Sequence, residues 1–123
     1  MAFFRASIGG GGGGSGWTLV EAVSLVPGGV GTFTIGQSLT VGKTYHIFTT
    51  NSGGSTSTAD AVTAITISSG ASNLTELNKV NGYYGSSTAY SSMIHYSFIA
   101  TAQTVSFSKN AAPRRLGYML FVE

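Results

Sequence analysis

The sequence predicts an all-β protein that folds as a single antiparallel β-sandwich. Short runs rich in β-branched and aromatic residues alternate with clusters of Gly, Ser, Asn and Pro, which is the pattern of strands separated by turns. Within several runs apolar and polar residues also alternate, as Phe33 and Ile35 do with Thr32 and Thr34. The length of 123 residues suits one domain with a substantial core, so all the strands are expected to belong to one folded unit.

Eight runs qualify as strands, a number that suits a jelly-roll-like sandwich of two sheets. Clean alternation in the second and seventh strands indicates that each has one solvated face. The segments between the strands contain the Gly, Pro and Asn residues that turns favour. The predicted strands cover residues 17–26, 31–35, 44–50, 62–68, 74–80, 93–100, 104–108 and 116–122.

The fifth strand has a helical alternative. Asn73 followed by Glu76 resembles a capping box, and apolar residues recur at every third position over 74–80, so a single helical turn would also fit. The strand is favoured because Asn81-Gly82 follows directly, and this dipeptide is a strong signal for a two-residue hairpin turn. The sequence thus predicts a strand that turns back at residues 81–82.

The last strand differs from the others because it is apolar on both faces. Every residue from 116 to 122 except Gly117 is apolar, and a strand of this kind needs cover on both sides. We expect an interior strand or a contact strand between subunits, and we expect Met119→Asp to impair folding or assembly. The side chains on which this prediction depends are Leu116, Tyr118, Met119, Leu120 and Phe121.

A run of six glycines divides a short N-terminal arm from the body of the chain. Residues 1–16 comprise an apolar, strand-like arm and the tether Gly9–Gly16, and residues 17–123 form the sandwich. The tether spans about 15 Å root-mean-square and about 28 Å at full stretch. The arm residues that are costly to leave in water are Phe3, Phe4 and Ile8.

The arm is expected to dock on an adjacent copy of the protein. A sandwich has open sheet edges, and their unpaired backbone groups accept an added strand. The alternatives are that the arm folds back onto its own sheet or frays, as termini often do. Deletion of residues 1–14 separates these outcomes, because only the first requires a folded body that no longer assembles normally.

The composition also favours assembly. Charged residues make up only 8% of the chain, and 18 Gly, 17 Ser and 15 Thr supply a neutral surface of small side chains. A weakly charged surface with positive mean hydropathy suits a protein whose faces are covered by copies of itself. The net charge of +2 is scattered along the chain, so no nucleic-acid partner is predicted.

The sequence also limits the compartment in which the protein works. It contains no cysteine, so disulfides and thiolate metal sites are excluded. The N-terminus lacks the basic flank and apolar run of a signal peptide, and no stretch approaches 18 apolar residues, so neither secretion nor a membrane span is predicted. We expect the protein to be made in a cytoplasm and to stay soluble or assemble there.

The chain has few residues suited to acid–base catalysis, with four acidic residues and two histidines. A glycosidase pair would have to combine Glu21 with Glu76, and nothing in the sequence brings them together. His46 and His95 lie within predicted strands beside aromatic residues, where packed or surface imidazoles are favoured over metal ligands. The sequence therefore predicts no enzyme activity, no catalytic residue, no metal and no cofactor.

The segment 81–92 has the composition of a binding loop. Tyrosines offer rigid amphipathic contact area, and Ser, Gly and Asn offer adaptable hydrogen bonds. Tyr83, Tyr84 and Tyr90 are therefore candidates to stack on the sugar rings of a host surface glycan. The alternative is a hairpin loop whose tyrosines cover the end of the sandwich or a neighbouring subunit.

Three features carry a resemblance to a known class of proteins. They are the opening Met-Ala-Phe-Phe-Arg-Ala-Ser-Ile before Gly9–Gly16, the Trp17 that follows, and a Ser/Thr/Gly-rich strand body without cysteine. In these features the whole chain resembles the small Gly-rich β-sandwich proteins encoded among the head and tail genes of tailed phages. The resemblance is one of style and includes no motif, so it assigns no functional residue.

The resemblance implies a structural component of a virion, such as a head-decoration protein, a fibre or a tail-tip module. Such proteins are often trimeric, so the expected partners are further copies of the chain and other virion proteins. The expected function is therefore non-enzymatic and depends on self-assembly. The alternative is a carbohydrate-binding or adhesion module that recognises a cell-surface glycan.

Overall fold

The computed structural model describes residues 16–26, 31–53, 64–83, 90–109 and 115–123, and within these ranges every regular element is a strand. The prediction of an all-β sandwich is confirmed, with eight strands close to the predicted positions. The strands are β1 (Thr18–Val26), β2 (Gly31–Thr34), β3 (Thr44–Gly53), β4 (Ile65–Ser69), β5 (Ala71–Tyr83), β6 (Tyr90–Ala100), β7 (Ser106–Lys109) and β8 (Arg115–Val122).

The strands form two antiparallel sheets that pack face to face. The larger sheet has the order β1-β8-β3-β6-β5, and the smaller has the order β2-β7-β4. Three of the pairs are nested, since β1 joins β8, β2 joins β7 and β3 joins β6. This nesting, with the two ends of the described chain paired outermost, is the winding of a jelly roll. It places β8 inside the larger sheet, between β1 and β3.

The chain passes from the smaller to the larger sheet through a sharp corner at Gly70, between β4 and β5. Gly70 has a φ of +79°, which glycine adopts without steric cost. Its carbonyl accepts hydrogen bonds from the backbone N–H groups of Thr101 (2.8 Å) and Ala102 (3.2 Å). A Cβ at this position would collide with the carbonyl oxygen of Thr104. The corner therefore requires a glycine for both its backbone angle and its close contact.

The core lies between the inner faces of the two sheets. Phe98 of the larger sheet meets Phe107 of the smaller edge to face, with ring centroids 5.2 Å apart. Phe33 of the smaller sheet contacts Tyr118 of β8 at 5.5 Å. These contacts hold the layers together by burying aromatic area. The largest fully buried side chains are Phe98, Phe107, Ile47, Ile94, Leu116, Leu120, Val105 and Thr49.

The strand β5 corrects two predictions. It begins at Ala71 instead of residue 74, because Asn73 takes a left-handed φ of 57° at an irregularity in the register and the ladder continues around it. It also continues through Tyr83, so Asn81-Gly82 is not the hairpin turn. Gly82 is paired with Ser91 of β6, since the cross-strand ladder overrides the local turn preference. The helical alternative for 74–80 is wrong, as these residues are all strand.

The predicted arm, with Phe3, Phe4 and Ile8, and most of its tether lie outside the described residues. The first described residue is Gly16, and Trp17 follows it directly before β1. The docking of the arm therefore stays a prediction. The structure shows where the C-terminal end of the tether, Gly16, joins the sandwich.

Candidate functional site

The most distinctive surface is the face of the larger sheet that points away from the smaller one, here called the outer face. Because successive side chains of a strand point to opposite faces, β3 directs Tyr45 and Ile47 into the core and His46, Phe48 and Thr50 to the outer face. The same alternation on β8 and β6 completes the surface. The outer face therefore draws on strands from both ends of the described chain.

The pairing register arranges the outer-face residues in three rows across the sheet. In each row the neighbours sit directly opposite one another on adjacent strands, close enough for side-chain contact. The first row is Leu19, Phe121, His46, Ser97 and Thr75, the second is Ala22, Met119, Phe48, His95 and Asn78, and the third is Gly117, Thr50, Met93 and Val80. Aromatic side chains occupy the centre of this array, aliphatic side chains occupy its β1 margin, and the β5 margin combines Val80 with the polar Thr75 and Asn78.

The centre is an aromatic cluster formed by Trp17, His46, Phe48, His95 and Phe121. The indole of Trp17 stacks on the His46 ring at 3.8 Å, and Phe48 stacks on His95 at 4.1 Å. Phe121 meets Phe48 edge to face at 5.8 Å and is only 3% exposed, although it lies on the outer face. Trp17, 6.3 Å from it, helps to cover this ring. The residue next to the tether is thus packed onto the outer face.

A chain of hydrogen bonds runs beneath Trp17. The carboxylate of Glu123 can only accept, so Nε2–H of His46 donates to its Oε2 at 2.7 Å. The other nitrogen of His46, Nδ1, lies 2.9 Å from Nε2 of His95. Burial of His95, and then repulsion from His46, lowers its pKa. One of the two rings must supply a lone pair to this bond, so the pair holds together only while at least one imidazole is neutral.

The acidic pair considered for hydrolysis is not brought together. Glu21 and Glu76 belong to one row of the inner face but lie on β1 and β5, the opposite edges of the sheet, about 19 Å apart at four strand spacings. Glu21 accepts hydrogen bonds from the Gly36 N–H (3.1 Å) and from the Tyr118 hydroxyl, tying β1 to the segment after β2. Glu76 lies 3.7 Å from the Lys79 ammonium. Among the described residues no group of three or more acidic or histidine side chains has an arrangement that could hold a metal.

The aliphatic margins of the outer face are strongly exposed. Leu19 on β1 is 53% exposed, Met93 on β6 is 48% exposed and Val80 on β5 is 67% exposed. The smaller sheet packs against the opposite face, so it cannot cover these side chains. Single exposed apolar residues are common, but these share one surface with the aromatic cluster.

A groove opens on the outer face above Gly117. It has a volume of about 260 Å³ and is lined mainly by Ala22, Ser24, Phe48, Thr50, Gly117 and Met119. A Cβ on Gly117 would lie 2.9 Å from the Val23 carbonyl oxygen and 3.0 Å from that of Ser24, where β1 is irregularly paired. The missing side chain therefore lets β1 approach and leaves the groove open. We refer to it as the Gly117 groove.

The residues singled out in the sequence are distributed over different parts of the fold. Leu116, Tyr118 and Leu120 of β8 are buried against the core, whereas Met119 and Phe121 belong to the outer face. Tyr83 and Tyr90 face each other at the ends of β5 and β6, so the ends of the segment 81–92 are strand instead of loop. Their side chains, and Tyr84 as a whole, lie outside what the structure describes.

Sequence reasoning missed the cluster of Trp17, His46, His95 and Glu123. Its signal was the alternation within β3 and β6, which places His46 with Phe48 on one face and His95 on the face opposite Ile94. The alternation does not reveal which strands are neighbours. The register that sets His95 opposite Phe48, and Phe121 opposite His46, joins positions tens of residues apart.

Comparison of the chain with protein-family models, with curated proteins and with solved structures finds no match. Within the described ranges, no helix has the length and apolar character needed to cross a membrane. The outer face therefore has to be interpreted from its own chemistry.

Proposed function

We propose that the protein is a non-enzymatic structural subunit that associates with further copies of itself through the outer face, as a component of a phage particle. The observation that carries this proposal is the exposure of Leu19, Met93 and Val80, all about half exposed or more, on the same face as the aromatic cluster. Covering such a surface is favourable by roughly 25 cal/mol for each Å² of apolar area removed from water. A second copy supplies that cover in a self-assembling protein.

The charge distribution of the outer face supports the same function. None of the residues in its three rows is Asp, Glu, Lys or Arg, and Glu123 lies at the end of the surface, bonded to His46. Depletion of charge at the centre, with enrichment in aromatic residues and Met, is characteristic of the core of a protein interface. Association therefore does not require the desolvation of acidic, lysine or arginine side chains in the middle of the contact.

The phage setting is supported by analogy. Jelly rolls form capsid and lectin domains, although a fold alone does not define a function. The Gly-rich tether and the cysteine-free strand body resemble virion proteins, and this favours assembly with other virion proteins and a trimer among the closed oligomers. Because jelly rolls also form lectin domains, glycan binding is the alternative function that the experiment has to distinguish.

Sedimentation velocity with two matched variants tests the proposal. Val80 on the outer face and Val41 in the loop before β3 are similarly exposed, at 67% and 57%. We expect the parent to form a defined oligomer, Val80→Asp to shift it to monomer, and Val41→Asp to leave it unchanged. A monomeric parent, or equal effects of the two variants, would contradict the proposal. A monomer that is retarded on host polysaccharide would support the glycan-binding function in its place.

A further inference from the structure

The C-terminal end of the tether joins the sandwich at the outer face. Trp17, one residue after the tether ends, stacks on His46 at 3.8 Å and lies near Phe121 and Phe48. The described part of the chain therefore starts on this surface and not at the smaller sheet. An apolar arm of seven residues, Ala2 to Ile8, is attached there by the eight residues Gly9–Gly16.

The Gly117 groove lies within reach of this starting point. It is four residues along β8 from Phe121, which corresponds to about 13 Å at 3.3 Å per residue. The tether covers about 15 Å on average and about 28 Å when stretched. The tether can therefore reach the groove of its own copy, and at full stretch it also extends beyond that groove towards a neighbouring molecule.

The chemistry of the groove fits an uncharged aromatic ring. Its lining combines the apolar side chains of Phe48, Met119 and Ala22 with the hydroxyl-bearing Ser24 and Thr50, and no charged side chain lines it. An aromatic ring such as Phe48, which lines the groove, favours a second ring in offset or edge-to-face contact. An uncharged aromatic ring, such as the phenyl ring of a phenylalanine, therefore fits this groove.

We propose that the Phe3-Phe4 pair of one copy inserts into the Gly117 groove of an adjacent copy. The arm supplies two neighbouring phenyl rings, and they are costly to leave in water. Exchange of arms links copies without a change in the fold of residues 17–123, and a tether rich in glycine tolerates a range of subunit geometries. This inference rests on the proposed self-association and names the element that completes the contact.

Disulfide trapping tests the insertion directly, because the chain contains no native cysteine. One chain carries Phe4→Cys and a second carries Thr50→Cys in the groove, and the two are mixed and mildly oxidised. We expect a covalent heterodimer to form at least tenfold faster than with Thr66→Cys, a control on the exposed surface of β4. Rates equal to the control would overturn the proposal. So would a Phe4→Cys/Thr50→Cys double variant that, oxidised without parent present, forms its disulfide only within one chain.

A second variant tests the groove without cysteine. Thr50→Phe fills the groove with the chain's own ring, and Thr66→Phe adds the same ring on the smaller sheet. Arg5 is the only basic residue of the arm, so trypsin cleavage after it reports whether the arm is docked. We expect cleavage to be at least tenfold faster in assembled Thr50→Phe than in the parent or in Thr66→Phe, and equal rates would refute the insertion.

The two proposals fail in distinguishable ways. If the parent sediments as a monomer, self-association itself is wrong. If the parent is an oligomer that Val80→Asp dissociates, but no trapping occurs between Phe4→Cys and Thr50→Cys, only the arm insertion is wrong. Sedimentation of the parent is therefore measured before the trapping experiment.

Discussion

At the scale of single residues, the hydrogen bond between His46 and His95 is a contact of the outer face that depends on protonation. Its two nitrogens are 2.9 Å apart, and His46 also donates to Glu123. When both rings are charged, each nitrogen carries a proton, so the bond is lost and the two charges repel. The stacking of Trp17 on His46 and of Phe48 on His95 links this pair to the rest of the aromatic cluster.

We expect the protein to lose stability as the pH falls below the ordinary histidine pKa of 6.5. Burial, and then repulsion from His46, lowers the pKa of His95 in the folded state. Between that lowered pKa and 6.5 the unfolded chain binds a proton that the folded chain does not, so stability rises with pH across this window. Urea unfolding at several pH values, followed through Trp17, measures the effect.

The matched variant is His95→Gln, whose amide can still donate to His46 but does not titrate. The dependence of the free energy of unfolding on pH should be shallower in this variant in the range just below pH 6.5. An unchanged slope would show that the pair does not couple folding to protonation.

At the scale of elements, the corner between β4 and β5 decides how the two sheets are joined. Gly70 has a φ of +79°, and Gly42, before β3, has a φ of +88°. They differ in their surroundings, because a Cβ on Gly42 meets no atom within 4 Å, whereas a Cβ on Gly70 collides with Thr104. Comparing substitutions at Gly70 and Gly42 therefore separates the energetic cost of a left-handed backbone from the cost of a steric collision.

We expect Gly70→Ala to destabilise the protein much more than Gly42→Ala. The left-handed backbone costs an alanine about 1–2 kcal/mol at either position, and the collision at Gly70 adds about 1–3 kcal/mol. Chemical denaturation of both variants gives the two free energies of unfolding. Equal losses would mean that the loop containing Thr104 moves aside without cost.

At the scale of the whole molecule, the protein combines a low charge content with apolar side chains that stay exposed on one face. Charged residues are 8% of the chain, and Val80, Met93 and Leu19 remain exposed on one surface of the sandwich. A partner that binds only the folded state stabilises it by mass action. Folding and assembly are therefore coupled in the proposed function.

We expect the Tm of the parent to rise with protein concentration, because dilution removes the cover from the outer face. The Tm of Val80→Asp should not depend on concentration, and that of Val41→Asp should follow the parent. Differential scanning calorimetry over a hundredfold range of concentration makes the comparison. A parent whose Tm is independent of concentration would separate folding from assembly.

Local signals in the sequence were enough to predict the all-β class and the approximate positions of the eight strands. Strand signals are local, since alternation such as that of Phe33 and Ile35 with Thr32 and Thr34 lies within a few residues. The apolar run at 116–122 likewise indicated a strand that needs cover on both faces, and β8 lies between β1 and β3 with both faces largely buried. The prediction failed at Asn81-Gly82, where a local turn preference gave way to pairing with Ser91.

The sequence did not indicate which strands are neighbours, and the strand order in the fold sets the composition of the outer face. His46, His95 and Glu123 are separated by up to 77 positions and become a hydrogen-bonded chain through the register of β3 with β6 and β8. Side-chain alternation has a period of two, so it assigns each residue to a face but not to a partner. The partner is set by the nested winding of the whole chain, because register is chosen by the burial of both sheets together.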